Sequence, residues 1–309
     1  LLHSVERTLE AIVKARRPAV LVLIDYPGFN LRFARAARKL GMKIVYYISP
    51  QVWAWNPGRV KKMKGLLDKM LVVFPFEADL YRAEGIDTEF VGHPLLEVFT
   101  EPQGHAGFCK RYGFDAGKPV LGLVPGSRKQ EIERMFPVML GAARILHRDL
   151  GVQIAVAVSS VLDFEFMKSF LRDDLRVELI RDATYDVMKN SDLALVTSGT
   201  ATLETGYYRT PMIVVYKTSI LTYAIVRLMI RIRNIGLVNI LAGERVVPEL
   251  VQWRATAPIL AREAAILLRD APLRQEISRR LGVVKERLGT PGASARVADA
   301  VLSVASHAS

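Results

Sequence analysis

With 309 residues, the chain is long enough for two domains at about 150 residues each. Half of its residues are hydrophobic and 24% are charged, which is the globular range and excludes disordered, collagenous and low-complexity classes. A single cysteine, Cys109, excludes an intrachain disulfide and a zinc knuckle, while 43 Lys and Arg against 31 Asp and Glu leave +12, which favours an anionic partner: nucleotide, phospholipid or nucleic acid.

Helix and strand signals alternate along the chain. Leu1 to Arg17 has helical spacing, with Leu2, Val5, Leu9, Ile12 and Val13 on one side, and Pro18 stops it. Ala19 to Ile24 is a continuous apolar run, the pattern of a strand buried on both faces. Asn30 to Leu40 predicts a helix stopped by Gly41. Lys43–Ile48, Met70–Phe74 and Thr88–Val91 predict strands, the last running into Gly92-His93-Pro94. The composition then breaks into turns, so a linker is expected over 95–118. The pattern restarts with strand Val120–Val124 and helix Arg128–His147. Further strands are expected at Gln153–Val158, Arg176–Ile180, Leu193–Val196 and Met212–Val215. No strand is expected after Glu244. The rest reads as helices, broken at Gly289-Thr290-Pro291-Gly292 before a last helix over 289–309. The expected division is therefore a domain over 1–94, the linker, a domain over 119–288 and a carboxyl-terminal helix. Each domain is expected to hold a parallel sheet covered by helices.

Ligands of open parallel sheets bind at the carboxyl ends of the strands. Val120–Val124 is followed by Pro125-Gly126-Ser127-Arg128. Gly lets backbone approach a phosphate, the helix start offers free N–H groups, and Arg128 offers a fork of donors. Leu193–Val196 is followed by Thr197-Ser198-Gly199-Thr200, with Glu204 one turn into the next helix, placed to accept from a ribose diol. Either loop alone is also an ordinary capped turn, but two in one sheet suggest a diphosphate held between them. Neither is a Walker loop or a GxGxxG fingerprint, and no Asp-x-Asp pair offers a metal clamp. Asp163-Phe164-Glu165 reads as a helix start, so leaving-group charge is expected to be met by Arg128 and helix dipoles.

In the first half, Asp25 closes a strand and is placed to act as a general base, or simply to form the turn before Tyr26-Pro27-Gly28. Trp53 and Trp55 either line an acceptor cleft or plug the structure. His93 reads more readily as a hydrogen-bonding residue than as a catalyst. No apolar run reaches the ~18 residues of a membrane span. The nearest, Ser219 to Ile235, is broken by Arg227, Arg231 and Arg233. Its aliphatic residues cover about half of a helix circumference, with Arg227 and Arg231 opposite. That pattern suits an interfacial helix on anionic lipid, or a buried helix with snorkelling arginines. A soluble or membrane-surface chain follows, and no nucleic-acid motif appears.

Together these residues resemble the lipid-A-disaccharide synthase family, bacterial glycosyltransferases of the GT-B fold. The resemblance rests on Ile24-Asp25-Tyr26-Pro27-Gly28-Phe29-Asn30-Leu31, Tyr47-Ile48-Ser49-Pro50-Gln51-Val52-Trp53-Ala54-Trp55, Phe74-Pro75-Phe76-Glu77 and Phe90-Val91-Gly92-His93-Pro94. In the second half it rests on Pro125-Gly126-Ser127-Arg128, Ser198-Gly199-Thr200 with Leu203-Glu204, Asn239-Ile240-Leu241-Ala242-Gly243, Val247-Pro248-Glu249-Leu250 and Gln252.

The resemblance implies an α/β GT-B fold: two Rossmann-like parallel-sheet domains facing a cleft, acceptor side first and UDP-sugar side second, with a helical carboxyl end. It implies transfer of a 2,3-diacylglucosaminyl unit from its UDP derivative to 2,3-diacylglucosamine 1-phosphate (lipid X), with inversion and with no metal or other cofactor. Asp25 falls on the catalytic acid position and Arg128 on the diphosphate-contacting Arg. Ser127, Ser198, Gly199, Thr200, Glu204, Asn239 and Gln252 fall at or near the nucleotide cleft. Trp53, Trp55, Tyr223, Arg227, Leu228 and Arg231 are expected on the acceptor or membrane side. A cytoplasmic homodimer, peripheral on the inner membrane, is implied. The family's opening Gly-Glu-x-Ser-Gly-Asp loop has no counterpart here, so its amino-terminal segment is expected to be absent, leaving an exposed sheet edge. Two alternatives stand beside this reading: another UDP-sugar GT-B enzyme, such as a lipid-linked cell-wall transferase or an epimerase, and a fragment that retains only UDP and membrane-surface binding.

Overall fold

The structure, a computed structural model, describes residues 2–55, 57–220, 223 and 234–306. These fall into two compact units, one of residues 2–98 and 287–306 and one of residues 99–220, 223 and 234–286.

In the first unit, β1 (Val20–Ile24), β2 (Lys43–Tyr47), β3 (Lys69–Val72) and β4 (Thr88–Phe90) form a parallel sheet in chain order. Side chains alternate across a strand, so the sheet has two apolar faces. Ile44, Tyr46, Met70 and Val72 face a core completed by Phe33, Ala34 and Ala37 of α2 (Pro27–Lys39) and by Ala78 and Tyr81 of α4 (Pro75–Arg82). Val45 and Leu71 face the other way. They meet Val297, Ala300, Val301 and Val304 of the last helix, α13 (Ala293–Ser306). The first helix, α1 (Leu2–Arg16), buries Val13 and leaves Ile12 half exposed.

Two expectations need correction here. β1 is not buried on both faces: Val20, Leu21 and Val22 are half-buried, Leu23 is buried and Ile24 is exposed, and among the described residues β1 pairs with β2 alone. The helix expected from Asn30 begins at Pro27, where a missing N–H costs nothing and the fixed φ suits a first turn.

The second unit holds six parallel strands: β5 (Val120–Val124), β6 (Gln153–Val158), β7 (Val177–Arg181), β8 (Leu193–Thr197), β9 (Met212–Tyr216) and β10 (Glu249–Val251). Their order is β10-β9-β8-β5-β6-β7. β5 and β8 are buried along their whole length, as central strands covered on both faces must be. β10 overturns the expectation that strands end before Glu244. Its three residues are too few to display a two-residue period. Within the segment expected as linker, α5 (His105–Tyr112) buries Phe108 and Cys109 and belongs to the second unit. The long α6 (Lys129–Leu150) packs on α11 (Ala257–Arg269), and α12 (Ala271–Arg287) follows. Asp163 caps α7 (Phe164–Lys168), its side chain accepting from the Glu165 N–H at 3.0 Å.

Candidate active site

Reading outward from β5, the chain first builds β6 and β7 on one side, then returns to place β8, β9 and β10 on the other. The direction therefore reverses between β5 and β8, and the crevice outside their carboxyl ends is where such sheets take ligands. The two loops singled out in the sequence leave these two neighbouring strands. Thr197 Oγ1 donates to the Pro125 carbonyl at 3.0 Å and ties one loop to the other.

The first loop turns at Gly126, whose φ of 103° is open only to glycine, and a Cβ there would press on Glu131 Oε2 at 3.2 Å. Ser127 is exposed, and Arg128 takes the N-cap position of α6 with extended backbone. The Arg128 guanidinium projects into solvent, held at 2.7 Å by Glu131 one turn into the helix, which raises its affinity for its proton. An exposed cation whose one ion-pair partner among the described residues is a neighbouring side chain is accessible to a ligand. The second loop is braced from beneath: the Ser198 N–H donates to Val215 O and Ser198 Oγ to Ile235 O at 3.0 Å. Gly199 and Thr200 lead into α9 (Ala201–Tyr207), and Thr200 is exposed. Glu204 accepts from the Tyr185 hydroxyl at 3.2 Å, and burial pushes its carboxyl above the usual range.

Asn239 and Gln252 belong to the frame beneath the loops. Asn239, on α10 (Leu237–Ala242), is fully buried. Its Nδ2 donates to Val247 O and Glu249 Oε1, and its Oδ1 accepts from the Val246 and Val247 N–H groups. Both amide donors and both lone pairs are spent, so this side chain braces backbone and has nothing left for a nucleotide. Gln252, at φ 55°, pins residue 218 by accepting from its N–H and donating to its carbonyl. Glu249 completes the frame by accepting from the N–H groups of Ile235 and Gly236.

In the first unit, Asp25 leaves β1 at φ 48° and Tyr26 follows at 41°. Two consecutive left-handed non-glycine residues cost about 1–3 kcal/mol each and persist only where the surroundings impose them. Here the restraint is explicit. The Asp25 carbonyl accepts from Asn30 Nδ2 at 2.7 Å and from the Tyr46 hydroxyl at 2.5 Å, and the Asp25 N–H donates to Tyr47 O. The Asp25 carboxylate is exposed and has no protein partner among the described residues, so it is presented outward by a rigid backbone.

Trp53, on α3 (Val52–Trp55), donates from Nε1 to Glu77 Oε1 at 2.9 Å and packs edge-on against Phe76. Burial raises the Glu77 carboxyl. The side chain of Trp55 and residues Arg227, Leu228 and Arg231 lie outside the described residues. Tyr223 is described, with its ring 5.3 Å from that of Trp253. His93 is buried, its Nδ1 accepts from the Leu95 N–H, and its ring tilts over Phe74. Sequence reasoning assigned no role to Tyr46, Asn30, Glu249 or Tyr185. Asn30 and Glu249 sit inside the quoted strings. Tyr46 and Tyr185 act across contacts that no local pattern displays.

The family described as Lipid-A-disaccharide synthetase matches residues 1–290. A lipid-A-disaccharide synthase from Syntrophus aciditrophicus is 43% identical over 306 residues, covering 98% of this chain and 79% of that one. Among solved structures, a UDP-GlcNAc 2-epimerase from Neisseria meningitidis bound to UDP-GlcNAc aligns with a TM-score of 0.61 at 12% identity, over 98% of this chain and 81% of that one. The calicheamicin glycosyltransferase CalG4 aligns at 0.59 and 16%, over 98% and 77%. At those identities the structural likeness speaks for the fold, which is GT-B. The family match and the close relative settle the lineage: the chain belongs to the lipid-A-disaccharide synthase family of glycosyltransferases.

Proposed function

We propose that the chain moves a 2,3-diacylglucosaminyl unit from its UDP derivative to the 6-hydroxyl of 2,3-diacylglucosamine 1-phosphate, with inversion and without a metal. The observation that carries this reading is the reversal of strand order at β5 and β8, with two tethered anion-suited loops at its mouth. The N–H groups opening α6 and the Arg128 guanidinium would receive the diphosphate, and Glu204 the ribose hydroxyls. On the acceptor side, Asp25 would take the 6-hydroxyl proton. The oxygen attacks the anomeric carbon from the face opposite the diphosphate, the bond to the diphosphate breaks, and UDP leaves. The first unit would carry the acceptor and the second the donor. Attachment to an anionic inner-membrane surface from the cytoplasmic side, and a homodimer, belong to the same reading.

Calorimetric titration with UDP tests the donor half. Arg128→Ala should weaken binding by about 1.5–3 kcal/mol, the scale of a charged hydrogen bond, and an unchanged affinity would remove Arg128 from the diphosphate site. Asp25→Asn should abolish turnover while UDP affinity stays intact. Retained turnover would reject Asp25 as the base, and activity on a polyprenyl acceptor but not on lipid X would reject the acceptor.

A further inference from the structure

Beside the Asp25 turn, the first unit has a cavity of about 300 Å³ between α2 and the 3-10 segment Pro57–Met63 with the turn after it. Its lining combines an apolar floor, Leu31, Met63 and Leu66, with three cations, Arg32, Arg35 and Lys62, and contains no carboxylate. Met63 and Leu66 are buried, whereas the three cations are exposed.

The three cations have no hydrogen-bond or ion-pair partner among the described residues. The contrast lies one turn along the same helix. Arg38 is held by Asp68 at 2.7 Å, and Lys43 and the Ile44 N–H converge on the same carboxylate. The neighbouring acid is therefore already engaged, and the cavity keeps three positive charges whose mutual repulsion an anion would relieve. Long helical side chains lean toward the helix amino end. Arg32 stands five residues after Pro27, about 7.5 Å of helix rise, so that lean favours the end of α2 next to the Asp25 turn.

We propose that this cavity is the subsite for the phosphomonoester of the sugar-lipid acceptor: the three cations hold the phosphate, and the apolar floor takes the sugar's less polar face. The assignment rests on the reading of Asp25 as the group that meets the acceptor hydroxyl, because one acceptor would then touch both. The cavity can hold a phosphorylated sugar and not long acyl chains, which would extend outside it.

The test compares binding of 2,3-diacylglucosamine 1-phosphate, the same lipid lacking the phosphate, and inorganic phosphate, using the full chain and mixed neutral micelles. The variant Arg32→Gln with Arg35→Gln and Lys62→Gln keeps the side-chain stems, and its thermal melt and UDP affinity verify that it is folded. The phosphorylated lipid should bind the variant at least about tenfold more weakly, while the dephosphorylated lipid binds both proteins equally and poorly. Arg35→Lys, which keeps the charge, should lose less. Equal affinity of variant and native chain for the phosphorylated lipid overturns the subsite, as does native affinity for inorganic phosphate matching that for the lipid. These outcomes are read without turnover. Failure of the transfer reading at Asp25 or Arg128 is therefore seen separately from failure of the cavity.

Discussion

Glu249 shows how much of the frame beneath the second loop depends on one buried acid. Its two oxygens accept from Ile235 N–H, Gly236 N–H and Asn239 Nδ2, and Ile235 in turn supplies the carbonyl that holds Ser198 Oγ. Glu249→Ala strands three donors, at about 1–3 kcal/mol for each one left buried and unpaired. It should therefore lower stability by about 3 kcal/mol or more in denaturant unfolding and weaken UDP binding without touching UDP. Normal stability with normal UDP affinity would show that the loop needs no such brace. His93 offers a residue-scale test in pH. Burial depresses its ring from 6.5 to about 4. The unfolded chain binds a proton at 6.5 that the folded chain accepts only near 4, so this contribution is complete above pH 6.5 and is lost as the pH falls toward 4. Between pH 7 and pH 5 the loss is about 2 kcal/mol. His93→Asn keeps an acceptor for the Leu95 N–H and removes the titration, so its unfolding midpoint should fall less over that interval. Parallel falls in both proteins would assign the acid sensitivity elsewhere.

At the scale of elements, α13 closes the first sheet although the rest of that unit comes from the start of the chain. Its arrival is fixed by a latch. Arg296 donates to the carbonyls of Val91, Thr290 and Pro291, Glu97 accepts from the Ser294 N–H and hydroxyl, and the His93 N–H donates to Leu288 O. Gly92 sits beneath at φ 84°, and a Cβ there would stand 2.8 Å from Arg296 Nη2. The Gly92-His93-Pro94 string thus has a structural cause: a close approach, a cap and a first-turn proline. Ala300→Asp would place a carboxylate against Val45, Leu71 and Val91, a cost of about 3 kcal/mol or more. Amide-exchange protection should then fall in β2 and β3 and persist in β5 and β8. Uniform loss would mean that the two units unfold as one. The same elements show what the chain makes legible. Runs such as Val120–Val124 and Gln153–Val158 announce central strands because burial on both faces leaves an unbroken apolar signal. β10 escapes because three residues are too few to carry that signal, and β1 shows its limit: an unbroken apolar run marks the strand, but most of that run is only half-buried and Ile24 is exposed. The loops were legible by composition. Their bracing by Asn239, Glu249 and Tyr46 was not, because hydrogen bonds between residues distant in sequence leave no local period.

At the scale of the whole molecule, the +12 net charge couples function to ionic strength. No described helix is long and apolar enough to cross a membrane; under the proposed transfer reading, contact with lipid-borne substrates would come from a surface. Residues 217–233 concentrate Lys217, Arg227, Arg231 and Arg233 among aliphatic residues without one acid. Each basic residue near an anionic bilayer contributes about 1 kcal/mol, within a Debye length that shrinks from ~10 Å at 0.1 M salt to ~3 Å at 1 M. If the segment meets the membrane, Arg227→Glu with Arg231→Glu should sharply reduce co-sedimentation with vesicles containing phosphatidylglycerol at low salt. The native chain should lose most of its own binding at high salt, and neither protein should bind pure phosphatidylcholine appreciably. Two results would separate the causes. Reduced binding to anionic vesicles with unchanged UDP affinity assigns the segment to the membrane and leaves the nucleotide side independent of it. Unchanged vesicle binding with lowered thermal stability returns the arginines to an interior where their stems pack, and moves the search for the lipid-facing surface to the cavity beside Asp25 and its three exposed cations.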